Sequence, residues 1–298
     1  MKTTQSNWRR KSRNAVRKSL AKRERRNSSE QSYRIFYRFR GDVVMSRLSA
    51  LFSILIALCG LMMLSNEQVI AGKLSNQLIN AAELGEIDTV KELLDQGVPV
   101  EAKNLDGWTA LMKATYEGHE DIVRLLIDKG AAVDTQENAG WTPLMMAAQF
   151  GHREIAKLLL QNGAKINTQN NTGATAVMFA ALNGHQGLIQ DLQATSAEVN
   201  IKDQNGKTAL IYAAAAGYAE IVQQLVSLGA DVNVKDKTQS TALIIAARRG
   251  YEEVVRTLLE NCADVRAVDN QGKTASKWAV EKKYSGVFQL LVTAKPCN

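Results

Sequence analysis

Residues 140–167 read GWTPLMMAAQFGHREIAKLLLQNGAKIN and residues 206–233 read GKTALIYAAAAGYAEIVQQLVSLGADVN, two stretches that align column for column at a separation of 66 residues. Half of that separation is the period of the chain. Ala81, Ala114, Ala147, Ala180, Ala213, Ala246 and Ala279 follow one another at steps of 33 residues, as do Leu93, Leu126, Leu159, Leu192, Leu225, Leu258 and Leu291. Threonine fills a third column (Thr109, Thr142, Thr175, Thr208, Thr241, Thr274) and glycine a fourth (Gly85, Gly118, Gly151, Gly184, Gly217, Gly250). Recurrence of this kind marks a stack of small units, each of which buries its apolar face only against its neighbours.

Each column has a local reason. Thr142 opens an apolar run of helical period, where its hydroxyl can accept from the unpaired N–H groups of the first turn. The alanines let a neighbouring helix approach closely. Gly151 stands where that helix must end in a left-handed conformation. A second helix then runs through REIAKLLLQ to Gly163. Leu158, Leu159 and Leu160 are too many for one exposed amphipathic helix, so they must face the first helix and the adjoining units.

Helix, turn, helix and loop at this period resemble the ankyrin repeat, over about Leu74 to the C-terminus. The resemblance implies an all-α solenoid of about seven 33-residue helix-turn-helix units with hairpin loops, spanning 74–298. It also implies a protein that is not an enzyme and that binds another protein through a concave face. Some positions depart from the family pattern. Its histidine after Thr-Pro-Leu is here Met112, Met145, Met178, Ile211, Ile244 and Lys277, so the hydrogen bond it makes is expected to be missing. The first unit has Asn76 in the threonine column, and the last has Lys283 for glycine and Ser276 for the buried leucine, as suits terminal caps with one polar face.

Carried onto this sequence, the hairpin tips and the far ends of the inner helices supply the binding positions. Aromatics gather in the second and third units, where Trp108, Tyr116, Trp141 and Phe150 lie with Gln149, and cations in the sixth and seventh, at Arg248, Arg249, Lys273 and Lys282. Because Trp, Tyr and Arg are the side chains that most often anchor interfaces, the expected partner is long, with an apolar end and an acidic end. His119, His152 and His185 form one column continued by Tyr218, Tyr251 and Tyr284. Units stacked about 10 Å apart cannot bring two imidazoles onto one zinc, which needs Zn–N of about 2.0–2.1 Å. No nucleophile-and-base motif, phosphate loop or metalloprotease motif is present, and no metal, cofactor or small-molecule substrate is expected.

The net charge of +7 suggests nucleic acid until the charges are placed. Residues 1–47 carry 15 Lys and Arg against 3 Asp and Glu, whereas the remainder carries 22 against 27. The basic leader has too little apolar surface to fold and reads as a disordered tail, and the slightly acidic repeats give nucleic-acid binding no support. Residues 48–66 contain no charge, and their apolar part, LSALFSILIALCGLMML, would make a helix of about 26 Å. Two readings stand: a signal peptide cut after Val69-Ile70-Ala71, for which Met45 offers an alternative start, or an uncleaved transmembrane anchor that keeps membrane contact and leaves 1–47 as a cytoplasmic tail. Under both, the basic flank keeps the N-terminus inside and the repeat domain is exported, periplasmic or membrane-anchored outside the cytoplasm. An oxidising compartment would allow a disulfide between Cys262 and Cys297.

Overall fold

The computed structural model describes residues 71–191, 195 and 197–294, so the leader, the apolar segment 48–66, Leu192 and Cys297 lie outside the described residues. The described residues belong to one compact unit, Ser65–Asn298. They contain fourteen helices and no strand. A helix over 71–84 (α1) pairs with α2 (Ile87–Asp95). Six further pairs follow: α3 (Ala110–Glu117) and α4 (Glu120–Asp128), α5 (Pro143–Phe150) and α6 (Arg153–Gln161), α7 (Ala176–Asn183) and α8 (Gln186–Asp191), α9 (Ala209–Ala216) and α10 (Ala219–Ser227), α11 (Ala242–Arg249) and α12 (Glu252–Glu260), α13 (Ala275–Glu281) and α14 (Ser285–Thr293). Inner helices stack on inner helices from α3 to α13, and outer on outer from α2 to α14. Among the described residues no helix is long and apolar enough to cross a membrane.

The columns do what their chemistry demands. The column alanines are 0–2% exposed, leaving no room for a larger side chain between inner helices. The described column leucines are all buried. Each inner helix from α3 onward starts directly after its threonine, which is extended and forms the N-cap. Capping is less uniform than the sequence implies. Thr109, Thr142, Thr241 and Thr274 accept from the amide three residues on at 3.3 Å, whereas Thr175 and Thr208 make no cap bond, and the buried Thr208 hydroxyl has no partner. At Met112 the lost histidine bond is partly replaced, because the methionine sulfur accepts from the Thr109 amide at 3.5 Å.

The junction between units rests on the glycine and ring columns together. Gly118 ends α3 at φ 90, a conformation that L side chains rarely adopt. The imidazole of His152, from the next unit, lies against it, so that a Cβ at Gly118 would meet the ring at 2.7 Å. The same ring reaches Tyr116 O at 3.2 Å, as His119 reaches Glu83 O at 3.2 Å and His185 reaches Gln149 O at 3.3 Å. A carbonyl can only accept, so Nε2 carries the proton in all three. Burial lowers the affinity of His185 for a second proton, outweighing the bond to Gln149. The rings of Tyr218, Tyr251 and Tyr284 cover Gly184, Gly217 and Gly250 in the same way.

Replacing Gly118 with Ala should therefore destabilise the array more than replacing Gly130, which is also left-handed, at φ 89, but has nothing within 4 Å of a Cβ. The conformational cost of about 1–2 kcal/mol is common to both. Displacing the His152 ring from its carbonyl should add about 1 kcal/mol at Gly118 alone. Urea unfolding of the two variants measures the difference, and equal losses would show that the ring contact contributes nothing.

Candidate protein-interaction surface

A column that sequence reading missed aims the hairpin tips. Asn104, Glu137, Asn170, Asp203, Asp236 and Asp269 each accept, through one side-chain oxygen, from the amides two and four residues further on. Asn104 takes Asp106 N–H at 3.0 Å and Trp108 N–H at 2.9 Å; Asp269 takes Gln271 N–H at 2.9 Å and Lys273 N–H at 3.0 Å. The residue four positions on is the tip position, so this oxygen fixes where Trp108, Trp141, Lys207 and Lys273 leave the backbone.

In three units the inner-helix side chain five residues after the tip pairs with it. Lys113 lies 4.7 Å from the Trp108 ring centre, Lys207 5.5 Å from that of Tyr212, and Lys273 3.9 Å from that of Trp278. Such contacts are worth about 0.5–1 kcal/mol where exposed. In two units the tip carboxylate also holds the aromatic: Tyr212 O–H donates to Asp203 at 2.6 Å, and Trp278 Nε1–H donates to Asp269 at 2.7 Å. Burial, with Asp203 as acceptor, pushes the Tyr212 phenol above its ordinary value. Burial would raise the Asp269 carboxyl, but the bonds from Lys273 N–H, the indole and Gln271 N–H, with the charge of Arg248, hold it below its ordinary value.

At the aromatic end, Trp108 meets Tyr116 edge to face at 5.6 Å, and Tyr116 meets Phe150 likewise at 4.5 Å. These three form one half-buried run across the second and third units. Gln149 accepts from Asn183 at 3.2 Å. Trp141 stands apart from this run: it stacks on Phe179 of the following unit at 4.2 Å and packs against the core. A large part of its surface therefore serves repeat-to-repeat packing.

The basic end is organised around Trp278, which sequence reading passed over. Arg248 lies 5.4 Å from its ring centre, and Lys273 is ion-paired to Glu281 while lying over the same ring. The spacing of nine residues from Asp269 to Trp278, repeated from Asp203 to Tyr212, is the signal that could have found it. Arg249 needs correction as a purely partner-facing cation. Its guanidinium donates to Ala215 O, the carbonyl equivalent to those bonded by histidine in the earlier units, where Tyr251 has no ring N–H to offer. Lys282 is exposed. Cys262 occupies the left-handed site filled by Gly130, Gly163 and Gly229 in other units, at φ 64, and is disulfide-bonded; Cys297, the partner expected from the sequence, lies outside the described residues. The three histidines are held by main-chain carbonyls, and among the described residues no cluster of His, Cys, Asp or Glu could hold a metal.

Stacked helix pairs that project a row of tips and inner-helix ends define a repeat solenoid. A family model described as "Ankyrin repeats (3 copies)" matches residues 78–170, 165–236 and 228–298, and the chain belongs to the ankyrin-repeat family. Among solved structures it is similar to the crystal structure of the human ASB11 ankyrin repeat domain, at 28% identity and a TM-score of 0.65, covering 74% of this chain and 98% of that one. No curated protein matches it in sequence. Arrays of this family are typically non-enzymatic scaffolds for protein–protein interaction, and the match supports a protein-interaction scaffold here.

Changing Asp269 to Ala removes the acceptor of two amides and an indole in a site only 5% exposed, and should cost about 2–3 kcal/mol. Asp269→Asn should cost distinctly less, because Asn104 and Asn170 already perform the same double acceptance. Chemical denaturation of both variants checks the order; equal costs would show that the oxygen is dispensable.

Proposed function

We propose that the chain is an exported protein-interaction scaffold that binds a partner along its concave face, apolar contacts at the Trp108, Tyr116 and Phe150 end and acidic ones at the Arg248, Lys273 and Lys282 end. The observation that carries this reading is the edge-to-face run of Trp108, Tyr116 and Phe150, three large rings gathered at tips and inner-helix ends and outside the buried core. Rigid, half-exposed aromatics of this kind anchor interfaces because they bury much area at little conformational cost. Export is supported by the uncharged segment 48–66 with its basic flank, and a disulfide-bonded Cys262 suits an oxidising compartment. The pairing with Cys297 belongs to the same proposal.

A photo-crosslinking amino acid placed at Phe150 in living cells should trap a discrete protein partner, and one placed at Arg256 on an outer helix should not. Crosslinks from Arg256 alone would refute the face. A reporter active only in the cytosol, fused after residue 100, should stay silent, and strong activity would refute export.

A further inference from the structure

The inner-helix ends change character along the array. They read Tyr116-Glu117, Gln149-Phe150, Leu182-Asn183, Ala215-Ala216 and Arg248-Arg249 from α3 to α11. Bulk falls away at α9, where two alanines form a shelf beside Leu182, a large apolar side chain left 40% exposed. The shelf offers no open acceptor at Ala215, since Arg249 already takes that carbonyl. It is an apolar floor bounded on one side by Leu182 and on the other by cations.

Among the described residues neither Arg248 nor Lys282 makes an ion pair. The carboxylates near Arg248 are otherwise engaged. Asp269 is buried and binds two amides and the indole, and Glu281 binds Lys273. Held over the Trp278 ring, the Arg248 guanidinium keeps its donors at its edges, in the fork that matches a carboxylate. At the opposite end of the row Glu117 is exposed, and Lys113 is paired to Glu83.

We propose that the face receives an extended acidic segment of a protein partner in one direction, an apolar side chain seated on Ala215 and Ala216 and carboxylates following it onto Arg248 and then Lys282. This rests on the face reading above and specifies it. Successive units lie about 10 Å apart, which an extended chain covers in about three residues at about 3.3 Å each. The segment therefore carries an apolar residue, an acidic one about three positions later and another about three beyond that. Running in the reverse direction, the same segment would set its carboxylates against Leu182 and then Phe150, apolar side chains that offer them no cation.

The test is selection of random 15-residue peptides displayed on phage against the purified full chain, followed by fluorescence anisotropy of a labelled winner. Enriched peptides should show the apolar-then-acidic spacing, and Arg248→Glu or Ala216→Glu should each weaken binding tenfold or more at a temperature well below the melt of either variant. Peptides that lose affinity with Phe150→Ala, but carry no acidic residue and ignore Arg248→Glu, would overturn this inference and leave the face reading standing. Peptides indifferent to all three substitutions would overturn both. Tighter, Arg248-dependent binding of a 20-base-pair DNA duplex or of phosphatidylserine vesicles would overturn the assignment of these cations to a protein segment.

Discussion

A left-handed glycine under the ring of the next unit is the contact on which the stack depends. Gly118 must turn the chain from α3 into α4, which only a residue without Cβ does cheaply, and the space so left is filled by His152. The ring is more than a filler, because it also satisfies the carbonyl of Tyr116 near the end of the helix that the glycine terminates. Turn, register and hydrogen bond are thus set by one pair of residues 34 apart, and the pairing recurs along the array. At the last unit Lys283 holds the same left-handed site, at φ 62. A lysine Cβ thus stands at this position where the earlier units have glycine under a ring.

Main-chain accounting explains why the period is kept so strictly at the loops. Across five junctions a side-chain oxygen at Glu101, Asp134, Asn167, Asn200 or Asn233 accepts from a backbone amide 31 residues on, at 2.6–2.9 Å. Across the hairpin tips, amides of Asn138, Asn171, Gln204, Lys237 and Asn270 donate to carbonyls of Asp106, Ala139, Thr172, Asn205 and Thr238 in the preceding unit. An insertion of one residue would misplace several of these bonds at once, at a cost of about 1 kcal/mol or more for each that becomes buried and unpaired.

The columns legible in the sequence were those whose identity is fixed by shape. Alanine is required where helices touch, leucine where the core is deepest and glycine where φ is positive, so the same letter returns every 33 residues. The oxygen columns were hidden because the geometry asks only for an acceptor: Asn104, Glu137 and Asp203 do the same work with three different side chains. The candidate site was legible in part for the same reason. Tyr116 and Phe150 were visible as aromatics in positions that vary between units. Trp278 became meaningful only once Arg248, thirty residues earlier, and Lys273 were seen to share its ring.

What remains for recognition is set by what the stack has already taken. Arg249 and Trp141 sit in positions that vary between units, yet one closes the carbonyl left open by the change from histidine to tyrosine in the ring column and the other bridges two units through Phe179. Their neighbours differ. Arg248 is the residue before Arg249 on the same helix, but its direction, about 100° around the axis, carries it over Trp278 instead of back to the preceding unit. Variation along a repeat column therefore has two sources, compensation within the stack and contact outside it, and the hydrogen-bond partner of each side chain separates them.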